Sequence, residues 1–159
     1  MQGFSALFQP GSIGKLHLEN RLTMNAMGTV LVDGEGNITD RMIDYYRARA
    51  RGGVGLITTQ CALVSADATP PFTWALYDDK YILGLRRLVD AIHEQGAKVS
   101  IQLMHYGLLL IFGGYIPEGM SIKVPSITSW LVGDKPYEEI GEADIERYVE
   151  DFAQAARRV

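Results

Sequence analysis

The chain has 159 residues, 47% hydrophobic and 21% charged, with Lys+Arg 15 against Asp+Glu 19. That is one domain on a prior of roughly 100–200 residues, and its apolar content, with Gly 17 against Pro 6, excludes disordered and collagen-like sequence. A net charge of −4 without a Lys/Arg block gives no electrostatic reason to expect nucleic acid or an anionic membrane as a partner. Cys61 is the one cysteine, so no intrachain disulfide can form. The N-terminus lacks the basic and apolar regions of a signal peptide. The longest apolar run, residues 108–112, is far short of the roughly 20 residues of a membrane helix. A cytoplasmic protein is expected.

Residues 13–18 read as a small hairpin, and residues 22–26 as the first strand. A helix over 40–51 follows Thr39 as its cap, turns Ile43, Tyr46 and Ala50 inward, and ends at Gly52-Gly53. The second strand, 54–59, shows little polar alternation, as expected where both faces are covered. Over 79–96, Ile82, Leu85, Leu88, Val89 and Ile92 make one stripe at helical spacing, with Asp78 placed to cap and Gly96 to terminate. The third strand spans 98–103. A last helix, 142–159, carries the stripe Ile145, Tyr148, Val149, Phe152, Ala156 and Val159, with Glu142 and Asp144 at its positive end and Arg157 and Arg158 at its negative end. Strands alternating with helices imply a parallel sheet with right-handed crossovers. Two long loops, 28–40 and 105–141, follow strand C-terminal ends, where parallel α/β folds place ligands. No internal repeat or linker-like composition shift interrupts the chain.

Several residues on that side carry chemistry. Gln102 interrupts an apolar strand, and a buried amide must find partners. It is either a core glutamine satisfied by a neighbouring backbone or an amide that reads a ligand's imide edge. Cys61 reads as a small buried hydrophobe or a nucleophile, with no pKa-lowering neighbour evident in sequence. His105 is a pocket residue or a loop histidine bonding backbone. His17 and His93 lack zinc-ligand spacing to each other or to Cys61. The stretch Asp33-Gly34-Glu35-Gly36-Asn37 has Ile38 where a calcium loop needs glycine, so a turn is the better reading. Gly52-Gly53-Val54-Gly55 precedes a strand rather than a helix and is no dinucleotide fingerprint.

Taken together, collinear segments resemble the old yellow enzyme family. These are Leu7-Phe8-Gln9-Pro10, Ile13-Gly14-Lys15-Leu16, Leu18-Glu19-Asn20-Arg21, Met24-Asn25-Ala26-Met27-Gly28-Thr29 and Tyr45-Tyr46-Arg47-Ala48-Arg49-Ala50-Arg51-Gly52-Gly53-Val54-Gly55. Residues 90–98, Ile101-Gln102-Leu103-Met104-His105-Tyr106-Gly107 and Val124-Pro125-Ser126 continue the pattern. The Met-Gly-Thr variant is most similar to the bacterial branch with 2-enoate and 2,4-dienoyl-CoA reductases. The resemblance implies an α/β fold, a partial (β/α)8 TIM barrel made of the N-terminal hairpin plus the first three βα units. It implies FMN as cofactor and NADH or NADPH as reductant, with hydride passed to an activated C=C bond of a small enoate or enone.

On the same ground Ala26, Met27 and Gly28 would line the flavin, Cys61 would sit beside its ring, and Gln102 would bond its pyrimidine edge, the chemistry an amide facing an imide supplies. His105 and Tyr106 are candidates for the substrate pocket, and Asn20 and Arg21 for structural roles. No metal site is expected in this chain. The pattern departs from the family at Asn25, at Ala26 in place of a proline, at Gly28, and at Leu108 in place of an arginine. A complete barrel needs about 250 residues, so residues 1–159 are expected to be its N-terminal part. The proton donor would lie beyond residue 159, and FAD and an iron–sulfur cluster would belong to a longer parent. Either a complementing C-terminal barrel fragment or an oligomer would then cover the open edges. An inactive partial barrel serving as an assembly module is the alternative.

Overall fold

The computed structural model describes residues 3–68, 72–112, 121–127 and 137–159. Gly11–Ile13 (β1) and Leu16–Leu18 (β2) pair antiparallel as the expected hairpin. The chain then enters Thr23–Met24 (β3) and runs to the helix Asp40–Arg51 (α1). There the Thr39 side chain accepts from the Met42 N–H, as its N-cap position requires. Leu56–Thr58 (β4) and Ala62–Leu63 (β5) follow, then the helix Ile82–His93 (α2), entered through a short 3-10 turn that Asp78 caps. Lys98–Ser100 (β6) and Leu103–Met104 (β7) come next, and Leu109–Phe112 (α3) is a short helix. Ile122–Val124 (β8) and Tyr137–Glu139 (β9) pair parallel. Glu142–Arg158 (α4) closes the chain.

The sheet order β3-β4-β6, all parallel, is that of three successive βα units. Its register puts Met24, Ile57 and Val99 in one row against the helices. Thr58 Oγ1 and Ser100 Oγ, 2.8 Å apart, share the opposite face. α1 and α2 pack on the first face through Met42, Tyr46, Leu88 and Ile92, each fully buried together with Trp74. Full burial of such side chains contributes about 1.5–3 kcal/mol apiece. The second strand is therefore covered on one face only, since Leu56 and Thr58 remain half-exposed.

Close contact explains two of the resemblance segments. Asn20 donates from Nδ2 to the Gly53 carbonyl at 2.8 Å and accepts from the Leu22 N–H at 3.0 Å. A Cβ on Gly55 would lie 2.7 Å from the Asn20 carbonyl oxygen, so glycine alone fits there. Arg21 donates to the Pro10 carbonyl at 3.4 Å, tying the hairpin to the sheet.

Four expectations change. The strands are shorter than their apolar runs: pairing covers 23–24, 56–58 and 98–100. The run expected as one strand over 98–103 is broken: β6 pairs with β4 and β7 pairs with β5, with residues 101 and 102 between them. The apolar stripe of α4 is largely uncovered, with Ile145, Val149, Phe152 and Val159 exposed and Ala155 its buried residue. The loop expected over 105–141 contains α3, β8 and β9; its residues 113–120 and 128–136 lie outside the described residues. Among the described residues no helix is long and apolar enough to cross a membrane.

Candidate functional site

The C-terminal ends of β3, β4 and β6 form one rim. After β3, Ala26 is half-buried, Met27 is 59% exposed, and Gly28 stands in open space, with nothing within 4 Å of an added Cβ. Beyond β4 lies Cys61, half-buried, whose thiol is pushed up by burial, partly offset by its contact with Tyr106. It is held as the neutral thiol at ordinary pH. Gln102 follows β6 and is exposed, which corrects the expectation of a buried amide. The ladder with residues 56–63 shifts register by one residue at this point, and no described residue covers that face. The Gln102 carbonyl is still used, accepting from the Ala62 N–H at 2.7 Å.

Tyr106 joins the rim from the third unit. Its hydroxyl lies 3.1 Å from Thr73 Oγ1 and 3.8 Å from Cys61 Sγ, and its ring meets Phe72 edge-on at 6.1 Å. Burial raises the pKa of this phenol. His105, the neighbouring residue, places Nε2 3.2 Å from Asp67 Oδ1 and its ring 4.3 Å from that of Tyr148. An ionised carboxylate only accepts, so His105 Nε2 carries the proton in this pair. The apolar run after Gly107 does not simply line the rim, since Leu110 of α3 is buried and Leu109 exposed.

Two features of the rim escape sequence reasoning. Asp67 also accepts from Arg147 Nη2 at 2.7 Å and from Tyr148 Oη at 3.2 Å, joining the turn Ala66–Ala68 to α4. Burial works to raise its pKa, but the hydrogen bonds from His105, Ser65 and Arg147 outweigh it and hold the carboxyl well below the usual range. No spacing rule joins residues 67, 105 and 147. Gln60 is the second. It is 2% exposed, and its Oε1 accepts from both the N–H and the hydroxyl of Thr29, each at 2.6 Å. Gln60 follows Thr58 and Thr59 and so lacks the apolar flanks that singled out Gln102.

Asp33 spends its carboxylate on its own turn, accepting from the N–H groups of Glu35 and Asn37 and from Asn37 Nδ2. Among the described residues no group of three or more His, Cys, Asp or Glu side chains is placed to hold a metal ion. A cavity of about 280 Å³ lies under the hairpin, lined by Gly11, Ile13, Leu18, Arg21 and Thr23. None of the candidate flavin or substrate-pocket residues lines it.

Comparison with known proteins bears on what this rim serves. The chain is 38% identical over 161 residues to an NADH oxidase of Thermoanaerobacter brockii, covering 99% of this chain and 24% of that protein. It spans between 22% and 44% of the curated relatives it matches. A solved 2-naphthoyl-CoA reductase complex superposes with a TM-score of 0.83 at 27% identity, over 98% of this chain and 25% of that one. The old yellow enzyme homologue from Zymomonas mobilis superposes with a TM-score of 0.79 over 96% of this chain and 44% of that one; its 24% identity speaks to the fold alone. The fold is thus part of a (β/α)8 barrel. The family model for NADH:flavin oxidoreductases and NADH oxidases matches residues 6–159, so hairpin, sheet and all four helices fall within it: the chain belongs to the NADH:flavin oxidoreductase / NADH oxidase family.

Proposed function

We propose that residues 1–159 form the N-terminal, flavin-ring side of an FMN-dependent ene-reductase. The observation that carries this is the rim itself: three consecutive parallel strands end in a bare Gly28, a neutral Cys61 and an exposed Gln102. These residues fit a planar heterocycle. Ala26, Met27 and Gly28 would make a wall thin enough for close approach, and Cys61 would present an uncharged edge. The Gln102 amide, able to donate and accept at once, would match an imide. Bound there, FMN would supply hydride transfer from NADH or NADPH to the activated C=C bond of a small enoate or enone.

The chain's own contribution is to orient and to exclude water. His105 and Tyr106 would border the substrate, Tyr106 held by Thr73 and His105 by Asp67. Strands and the proton donor would come from a C-terminal barrel part. The 24% share of the NADH oxidase leaves room in a longer parent for FAD and iron–sulfur modules.

Mixing the chain with a C-terminal barrel part and FMN should give a yellow complex that oxidises NAD(P)H, and Gln102→Ala should weaken flavin binding. Absence of flavin absorbance at saturating FMN refutes the reading. The uncovered stripe of α4 favours a second one, an inactive module that pairs with another copy. Light scattering separates them, since a monomer that binds flavin only with its complement excludes the module.

A further inference from the structure

We infer that Gln60 is a positioning residue: its carboxamide holds the loop 26–29 to the second strand, and its lack of charge sets the potential of a flavin bound there. The inference rests on the flavin reading above. Thr29 is the last residue of that loop, and its N–H and Oγ1 converge on Gln60 Oε1, each at 2.6 Å. The next residue, Val30, has φ +52°. That left-handed conformation is an outlier for a β-branched residue and persists only where surrounding bonds over-determine it. The Val30 side chain is 66% exposed and supplies little packing of its own. The two bonds from Thr29 hold the backbone on one side of Val30, and Thr39 Oγ1 donating to the Leu31 carbonyl holds it on the other.

Gln60 is itself anchored through its backbone. Its N–H donates to Tyr46 Oη at 2.7 Å, and its carbonyl accepts from Trp74 Nε1 at 3.1 Å, both partners being fully buried. Trimming the side chain therefore releases Thr29 without unseating the strand. The amide nitrogen tells the rest. Gln60 Nε2 is buried and finds no acceptor among the described residues, an unfavourable state for a polar atom. A glutamate would hold Thr29 as well and would leave no orphaned donor. What glutamine has over glutamate is neutrality. Gln60 precedes Cys61 and grips Thr29, so a carboxylate there would put negative charge beside a ring that gains electrons on reduction, disfavouring the reduced form.

Wild type, Gln60→Ala and Gln60→Glu are compared in the protein reconstituted with FMN. The readouts are exchange of the Thr29 amide, flavin affinity by fluorescence titration, and the midpoint potential of the bound flavin. Gln60→Ala should speed Thr29 exchange and weaken FMN by about tenfold or more each, as loss of two short hydrogen bonds implies, while core amides of α2 keep their protection. Gln60→Glu should restore both and move the potential to more negative values. Unchanged Thr29 exchange in Gln60→Ala overturns the anchoring role, and an unmoved potential in Gln60→Glu overturns the role of neutrality. If wild type takes up no flavin, the ene-reductase reading and the potential-setting role fall together, and Thr29 exchange still decides the anchor.

Discussion

Asp67→Asn tests the cluster that ties α4 to the rim. Asp67 receives Arg147, His105 and Tyr148 at 2.7, 3.2 and 3.2 Å. A hydrogen bond to a charged group contributes about 1.5–3 kcal/mol when buried. The Asp67 and Arg147 side chains are 31% and 43% exposed, so screening brings the ion pair down to about 1 kcal/mol. Asparagine keeps one acceptor and turns an N–H₂ toward the remaining donors, which adds a loss of about 1 kcal/mol. The sum is about 2 kcal/mol at neutral pH, or a Tm lower by about 6 °C for a domain of this size. Because the folded-state pKa lies below the unfolded value, the stabilisation is complete above an unfolded carboxylate pKa of about 3.9. It is lost as pH falls through the depressed folded-state value. Urea denaturation of both proteins should therefore show a constant gap from pH 7 to pH 5 that narrows at lower pH. No gap at pH 7, or one that persists unchanged into acid, refutes the assignment.

Three further outcomes follow from particular contacts. Gly55→Ala forces a Cβ to 2.7 Å from the Asn20 carbonyl and should cost about 1–3 kcal/mol in urea denaturation. Tyr46→Phe strips the buried Gln60 N–H of its acceptor and should cost about 1–3 kcal/mol by the same measurement; burial pushes the native phenol up to about 12, so it acts as a neutral group throughout. Cys61, its thiol raised by burial, should react with iodoacetamide at pH 7.5 about tenfold more slowly than free cysteine, as timed by mass spectrometry.

The helices α1, α2 and α4 were legible in sequence because period and punctuation agree: Thr39 caps α1 as expected, and Gly96, with φ +85°, lies just past the end of α2; α3, a single turn, was not. Strand lengths were not, because an apolar run records burial and not pairing. Ile101 and Gln102 are the plainest instance, apolar context notwithstanding, since the pairing with residues 56–63 shifts register by one residue there. The candidate rim was legible as a set of strand ends, yet Gln102 turned out exposed and Gln60 buried. The Asp67 cluster left no trace in spacing. Arg147 lies 80 residues from Asp67 along the chain, and only the packing of α4 brings them together. β8 and β9 escaped because their short runs hold charged residues, Lys123, Glu138 and Glu139, in the strands themselves.

How α4 is attached has a consequence for its response to salt. The helix buries Ala155 but leaves Ile145, Val149 and Phe152 exposed, so little apolar area fastens it. Its attachments are largely ionic, Arg147 to Asp67 near one end and Arg158 to Asp79 at 2.7 Å at the other, joined by the Tyr148 ring against His105 and by Arg158 Nη1 donating to the Leu76 carbonyl. Screening shortens the reach of such charges to about 3 Å at 1 M salt, whereas the apolar packing of α1 on α2 is not weakened by it. Ionic strength therefore acts on this molecule as a selective solvent, loosening the last helix while the first two hold.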